Sequence, residues 1–194
     1  MSVVVTEQAS TELVSTEQAK EWCRVLNSDH DTLIPFLVKS AREYVENYTG
    51  RALLERTYED RRARFPASRV INLENPPLRD VESVQYVLDG QTLTLSEDCY
   101  TVDEFSTPGR IVLKDSQTWP STDCVPNAVI ITYTAGYDNN EESEERLKIP
   151  QTLLLGIKFL VGHWFANREP ESPFALTPVP KTFDSSIFPW KVNW

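Results

Sequence analysis

The chain has 194 residues, which suits one large domain or two small ones, and 40% of them are hydrophobic, enough to build a core. Its formal net charge of −10 argues against a surface that grips nucleic-acid phosphates, because such surfaces need a basic stripe. The three cysteines, Cys23, Cys99 and Cys124, do not form a disulfide framework, so we expect a reducing compartment. The N-terminus lacks the features of a secretory signal, which predicts a soluble intracellular protein.

The first fifty residues predict a helical hairpin. Ser15 and Gln18 match a capping box, and apolar residues at helical spacing follow them. A second amphipathic helix is expected after residue 31, and Gly50 is the residue that ends it. Residues 1–14 are a lead-in with a candidate short strand at residues 3–5.

The middle of the chain predicts short antiparallel strands. Runs rich in β-branched and aromatic residues alternate with turn sequences such as Asp89-Gly90. The seven predicted strands are residues 57–64, 69–73, 81–88, 92–95, 100–102, 110–113 and 128–134. This pattern favours an antiparallel sandwich or open barrel of about 80 residues, inserted between two helical parts.

Residues 150–169 are the longest apolar-rich segment and predict a long helix. The apolar face is formed by Leu153, Ile157, Leu160, Val161 and Trp164. The remaining sides are also apolar, so we expect the helix to be wrapped by other elements. Its uncharged run is too short for a membrane span, and we interpret it as a buried scaffold helix.

The predicted fold class is α+β, with a helical core, an inserted antiparallel β-domain and an extended C-terminal tail rich in proline and aromatic residues. Tyr137 to Lys148 is acidic and is expected to be a solvated loop. Residues 170–194 hold five prolines and are therefore not expected to be helical. The predicted divisions are residues 1–56, 57–137, 138–170 and 171–194.

The sequence offers no catalytic constellation. His30 and His163 are isolated, and a structural role is expected for both. Cys99 and Cys124 lack the C-x-x-C spacing of a zinc site. Neither a nucleophile elbow nor a phosphate-binding glycine loop is present. We therefore expect a structural or interaction protein without cofactor or metal, rather than an enzyme.

Several weak motifs combine into a more specific pattern. They are AREYVENYTGRAL (41–53), Phe65-Pro66, Pro76-Pro77-Leu78 followed by Val81, Val84 and Tyr86, Trp119-Pro120, ITYTAGY (131–137) and PQTLLLGIKFLVGHWFANRE (150–169). In order and spacing they resemble the head–tail connector (adaptor) proteins of long-tailed double-stranded-DNA bacteriophages and prophages, and a similar protein of gene transfer agents. The resemblance covers about residues 16–170 and points to the longer, β-containing branch. Residues 187–191 match the usual end of the family only loosely.

The resemblance implies a non-enzymatic protein of the virion neck, made in the cytoplasm of the bacterial host. Members join after DNA packaging and form a ring beneath the portal, typically a dodecamer, although the free protein is often a monomer. The ring extends the DNA channel and offers a docking platform to the stopper or the tail. Genomic DNA passes through without specific binding, and no membrane is involved.

The resemblance also suggests where partners dock. The C-terminal segment of relatives reaches the portal, so portal contacts are predicted at Phe183, Phe188, Trp190 and Trp194.

Contacts between subunits are predicted on the long helix and at helix ends. The predicted intersubunit face of the long helix carries Leu154, Phe165 and Arg168. Arg51 and Arg168 are further expected to pair with Glu43 or Glu46 of a neighbour. The alternative is an exposed salt bridge worth well under ~1 kcal/mol.

Other interpretations stay open at this point. The tail could fold back on the β-domain instead of reaching the portal. The protein could be a stopper or tail-completion protein of the same neck. It could also be a carbohydrate- or surface-binding β-domain with Trp119 and Tyr137 as a platform, or a metal-dependent hydrolase using clustered carboxylates.

Overall fold

A computed structural model describes residues 2–7, 11–138, 143–167 and 181–192. Over these residues the fold is α+β, as predicted. The chain divides into two compact units. The β-rich unit comprises Met1–Ala9 and Leu54–Lys148, and the helical unit comprises Ser10–Leu53 and Ile149–Trp194.

The β-rich unit contains two antiparallel sheets. Its strands are β1 (Ser2–Glu7), β2 (Arg56–Arg62), β3 (Val70–Asn72), β4 (Leu78–Leu88), β5 (Gln91–Thr94), β6 (Tyr100–Asp103), β7 (Arg110–Leu113) and β8 (Val129–Ala135). The larger sheet has the order β1-β2-β8-β4-β5 and the smaller one β3-β7-β6. Alternate residues of β8 are buried, which is the pattern of a strand with one face toward a core. All seven predicted strands are present, and the described sheets form no closed barrel.

The candidate strand at residues 3–5 is present as β1, but it does not belong to the helical part to which residues 1–56 were assigned. It pairs with β2 at the edge of the larger sheet, with Val4 opposite Glu59. The run of three valines explains this, because β-branched side chains favour the extended backbone. The β-rich unit also extends past residue 137, since the Asp138 amide donates to the Leu147 carbonyl and the Arg146 guanidinium to the Leu78 carbonyl.

The helical unit contains four α-helices: α1 (Thr16–Cys23), α2 (Leu33–Thr49), α3 (Gln151–Ala166) and α4 (Lys181–Ile187). Ser15 and Gln18 form the predicted capping box. Gly50, at φ +69°, ends α2 as predicted, because glycine adopts the left-handed conformation without strain. None of the described helices combines the length and the apolar character that a membrane crossing needs.

The end of the chain was expected to be extended, and this is wrong for residues 181–190. Residues 181–187 form α4, and Phe188–Trp190 form a 3₁₀ turn. The sequence of α4 contains no proline, and Phe183 and Ile187 lie four residues apart on one helix face. Pro189 lies in the first residues of the 3₁₀ turn, where its missing N–H is not needed. Arg168 and Trp194 lie outside the described residues.

Gly136 is a position where only glycine fits. Its φ is +125°, and a Cβ there would overlap the backbone carbonyl of Leu54. We expect Gly136→Ala to lower the free energy of unfolding by about 1–3 kcal/mol, because backbone has to move. Gly90 is the control, since it also has a positive φ but no atom lies within 4 Å of an added Cβ. Urea unfolding of both variants checks this, and equal losses would contradict the close approach at Gly136.

Candidate interaction surfaces

Residues 181–192, here called the clasp, pack against α2 and α3. Phe183 and Ile187 are almost fully buried. The Phe183 ring centroid lies 5.9 Å from that of Tyr44 and 6.2 Å from that of Tyr48, both on α2. Ile187 lies over Gly156 of α3, where a Cβ would come within 2.7 Å of its Cγ2. The glycine therefore makes room for the clasp.

Polar contacts fix the end of the clasp. The Val192 amide donates to the Thr49 carbonyl at 2.8 Å, and the Trp190 indole N–H donates to the Thr152 hydroxyl at 2.9 Å. Arg51 donates from Nε to the Trp190 carbonyl at 2.6 Å and places its guanidinium 5.6 Å from the centroid of that ring. A cation over an indole face is favourable, so apolar burial and directional contacts hold the same segment.

The four predicted portal contacts fall into different environments. Phe183 is 1% exposed and belongs to the core of the helical unit in this conformation. Phe188 is 65% exposed and Trp190 is half-buried. Trp194 lies outside the described residues. Of the aromatic residues of the clasp, Phe188 is therefore the one that already presents its ring to solvent.

The predicted intersubunit face of α3 is partly covered by the chain itself. Leu154 and Phe165 are half-buried. The Phe165 ring meets that of His30 edge to face, at 5.1 Å between centroids, and Trp22 of α1 does the same with Phe159 at 5.8 Å. The all-round apolar character of α3 is thus explained in part by contacts with α1, α2 and the clasp.

A buried ion cluster is centred on Arg42 of α2, whose side chain is 4% exposed. Arg42 donates to Glu12 at 2.8 Å and to Glu46 at 2.6 Å, and it lies 3.7 Å from Glu43. Burial alone would lower the pKa of Arg42, but the hydrogen bond to Glu12 and the charges of all three carboxylates outweigh it and raise the pKa. Glu46 also accepts from the Leu53 amide at 3.0 Å.

This cluster already uses one of the two carboxylates, Glu46, that were predicted to form salt bridges between subunits. Glu46 is engaged by Arg42 and Leu53 within the chain, whereas the Glu43 side chain is 51% exposed. Arg51 contacts Trp190 of the same chain through a hydrogen bond to its carbonyl and through its ring. Sequence reasoning missed Arg42, although its spacing of four residues from Glu46 on a predicted helix was visible.

The loop between β6 and β7 exposes a phenylalanine beside an arginine. Phe105 is 83% exposed, and the Arg146 guanidinium lies 5.3 Å from its ring centroid. Asp103 accepts from the amides of Phe105 and Ser106, from the Ser106 hydroxyl and from Arg110. Bonds to Ser106, and then to Arg110, lower the pKa of Asp103 to about 2.

The Asp103 contacts predict an acid-sensitive loop. Because the folded pKa is depressed, the stabilisation is present above the ordinary pKa near 3.8 and is lost as the pH falls through about 2. We expect amide protection at Ser106 to be unchanged between pH 7 and 5 and to fall between pH 4 and 2. Asp103→Ala should lower it between pH 7 and 5 and should remove most of the fall between pH 4 and 2. Asp115→Ala is the control, since that carboxylate is almost fully exposed; an equal effect there would contradict the role of Asp103.

The alternative of an exposed aromatic platform does not fit the structure. Tyr137 is 4% exposed, so its ring is not available to a ligand. Trp119 stacks on Phe65 at 4.9 Å between centroids and donates its indole N–H to the Ser68 carbonyl. Within the described part of the chain, no group of three or more His, Cys, Asp or Glu residues is placed to hold a metal ion.

Comparison with known proteins agrees with the predicted resemblance. The solved structures that share the fold include the neck of an empty gene transfer agent (GTA) particle computed with C6 symmetry, at 15% identity and a TM-score of 0.80, covering 100% of this chain and 97% of that one. The virion of a native GTA particle matches at 15% identity, with a TM-score of 0.78 and the same coverage. The neck of a native GTA particle computed with C12 symmetry matches at 16% identity, with a TM-score of 0.73, covering 100% of this chain and 97% of that one.

A search of curated proteins found no match. Residues 12–173 match the family described as head completion protein, which is most of the chain and includes parts of both units. The chain therefore belongs to the head completion protein family.

Proposed function

We propose that this chain is a structural subunit of a virion neck, an adaptor that binds the portal after DNA packaging and forms a ring that continues the DNA channel toward the tail. The observation that carries the proposal is the extent of the match. The family covers residues 12–173, and the whole chain shares its fold with structures of GTA necks. No catalytic role is proposed.

The charge of the chain suits a channel. Each subunit carries a net charge of −10, so the wall of a ring repels the phosphates of the genome, and DNA slides without being held. The same charge makes subunits repel one another. Ring formation therefore needs well-packed contacts between subunits, for which the exposed parts of Leu154 and Phe165, together with Glu43, are proposed.

The clasp is proposed as the portal contact, with Phe188 as its exposed anchor. A large aromatic ring held on an ordered turn loses little entropy when it is buried by a partner. Phe188→Ala should weaken portal binding about tenfold or more and leave the helical unit intact. Deleting residues 181–194 is less informative, since it also uncovers the rings of Tyr44 and Tyr48.

The test is the mass of the purified protein, measured alone and after mixing with the portal of its own phage. A ring-sized complex that forms with the portal supports the adaptor. Binding to the tail side without binding to the portal would place the protein at the stopper position instead. Binding to neither would overturn the neck proposal.

A further inference from the structure

The two edge strands of the larger sheet carry fewer charged residues than the rest of the chain. The edge strands are β1 and β5, and within the described part of the chain each pairs with a neighbour on one side only. Strand β5 holds neither a charged residue nor a proline, and β1 holds no proline and one charged residue, Glu7 at its end, although 25% of the chain is charged. An edge strand leaves alternate N–H and C=O groups unpaired, and proteins usually protect such edges with lysine, proline or a covering segment.

Both edges also expose apolar side chains. Val4 of β1 is 44% exposed, Val5 is 37% exposed, and Leu93 of β5 is 37% exposed. All four residues of β5 are exposed, so no described segment covers this strand. The residues are β-branched or otherwise suited to strands, and unpaired edges of this kind add a further strand.

We propose that β1 of one copy pairs with β5 of the next copy, so that the larger sheet continues from subunit to subunit. The inference rests on the proposed ring and names the contact that closes it. Because the pairings within the larger sheet are all antiparallel, β1 and β5 run in the same direction, and the new pair is parallel. Two different edges that meet make a head-to-tail contact, which is the kind that closes into rings.

The charge distribution favours a second copy as the partner. Two chains of net charge −10 repel each other wherever their acidic surfaces meet. Along these edges that repulsion is reduced, because residues 2–6 and 91–95 are uncharged and Glu7, at the end of β1, is the one charged residue of the two strands. The turn that precedes β5 is also fixed, since the Asp123 carboxylate accepts from the amides of Asp89 and Gly90. The edge is therefore presented in a defined position.

The test uses full-length variants with one edge blocked. Val4→Lys and Leu93→Lys each place a charge on an exposed side chain of one edge, and Val125→Lys, at an exposed loop residue, is the matched control. Ring completion is measured by mass photometry on the portal, and self-association in solution by analytical ultracentrifugation. Each edge variant should weaken association between copies about tenfold or more, while the control behaves as the wild type.

Mixing the two edge variants tests whether β1 of one copy pairs with β5 of the next rather than with another β1. A Val4→Lys copy keeps an intact β5 edge and a Leu93→Lys copy keeps an intact β1 edge, so the mixture should give heterodimers that do not grow further. Self-association of Leu93→Lys alone at wild-type strength would show that β1 pairs with itself and would overturn the proposal. So would wild-type ring completion by both variants, or a wild-type chain that stays monomeric in solution and on the portal. A chain that self-associates through these edges but ignores the portal would overturn only the adaptor assignment.

Discussion

Phe183→Ala should release the clasp from the helical unit and leave the rest of the chain folded. The ring is 1% exposed and lies against Tyr44 and Tyr48, so its removal opens a cavity that the short helix α4 cannot fill. Truncating a buried phenylalanine costs about 3–5 kcal/mol. A helix of seven residues is not stable on its own, so the loss falls on the docking of the whole clasp.

Hydrogen exchange of the clasp amides measures this effect directly. The Val192 amide, which donates to the Thr49 carbonyl, should lose about two to three and a half orders of magnitude of protection, at 1.4 kcal/mol for each factor of ten. Phe188→Ala is the matched control, because Phe188 is 65% exposed, and should change protection by less than about threefold. Similar losses in the two variants would show that Phe183 does not anchor the clasp.

The two variants also separate structure from binding. If the clasp is the portal contact, Phe188→Ala reduces portal affinity while the clasp stays docked. Phe183→Ala changes the docking itself, and its effect on portal affinity shows whether the docked conformation is the one that binds. This distinction was not accessible from sequence, where both residues were assigned the same role.

The sequence predicted the parts of the fold that local pattern decides. Ser15 with Gln18 marked the start of α1, and Gly50 marked the end of α2, because capping chemistry is local. The strands followed from β-branched runs between turn residues such as Asp89-Gly90, where both turn residues have positive φ. In these segments local preference and tertiary environment agree.

The clasp shows what sequence pattern could not predict. The prolines between residues 170 and 180 led to the prediction that the whole C-terminal region is extended. Two apolar residues at helical spacing, Phe183 and Ile187, are too short a pattern to predict a helix. What stabilises α4 is the groove beside Gly156, which forms only when α2 and α3 come together. For β1 the valine run predicted a short strand, but the pairing could not be predicted, since its partner β2 lies about fifty residues further along the chain.

Removing the Arg42 guanidinium should be among the most destabilising single changes in the helical unit. The side chain is 4% exposed and neutralises Glu12 and Glu46, of which the Glu46 side chain is 11% exposed. Breaking a buried ion pair by removing one partner typically costs about 3–5 kcal/mol, because the remaining charge stays buried without compensation. Arg42→Met should show this loss in urea unfolding while keeping most of the side-chain volume.

A second variant tests whether the loss of stability comes from the Glu46 charge that is left buried without a partner. Arg42→Met combined with Glu46→Gln removes a buried charge of each sign, so part of the stability should return, by about 1–2 kcal/mol relative to Arg42→Met. Asp31→Ala is the control for an ordinary ion pair. Asp31 pairs with Lys20 at 2.6 Å with its side chain 51% exposed, and its loss should cost less than about 1 kcal/mol. Equal effects of Arg42→Met and Asp31→Ala would show that the Arg42 cluster contributes no more than a surface ion pair. The segment around Glu12 would then be held against α2 by its buried apolar neighbours, Leu13 and Val14.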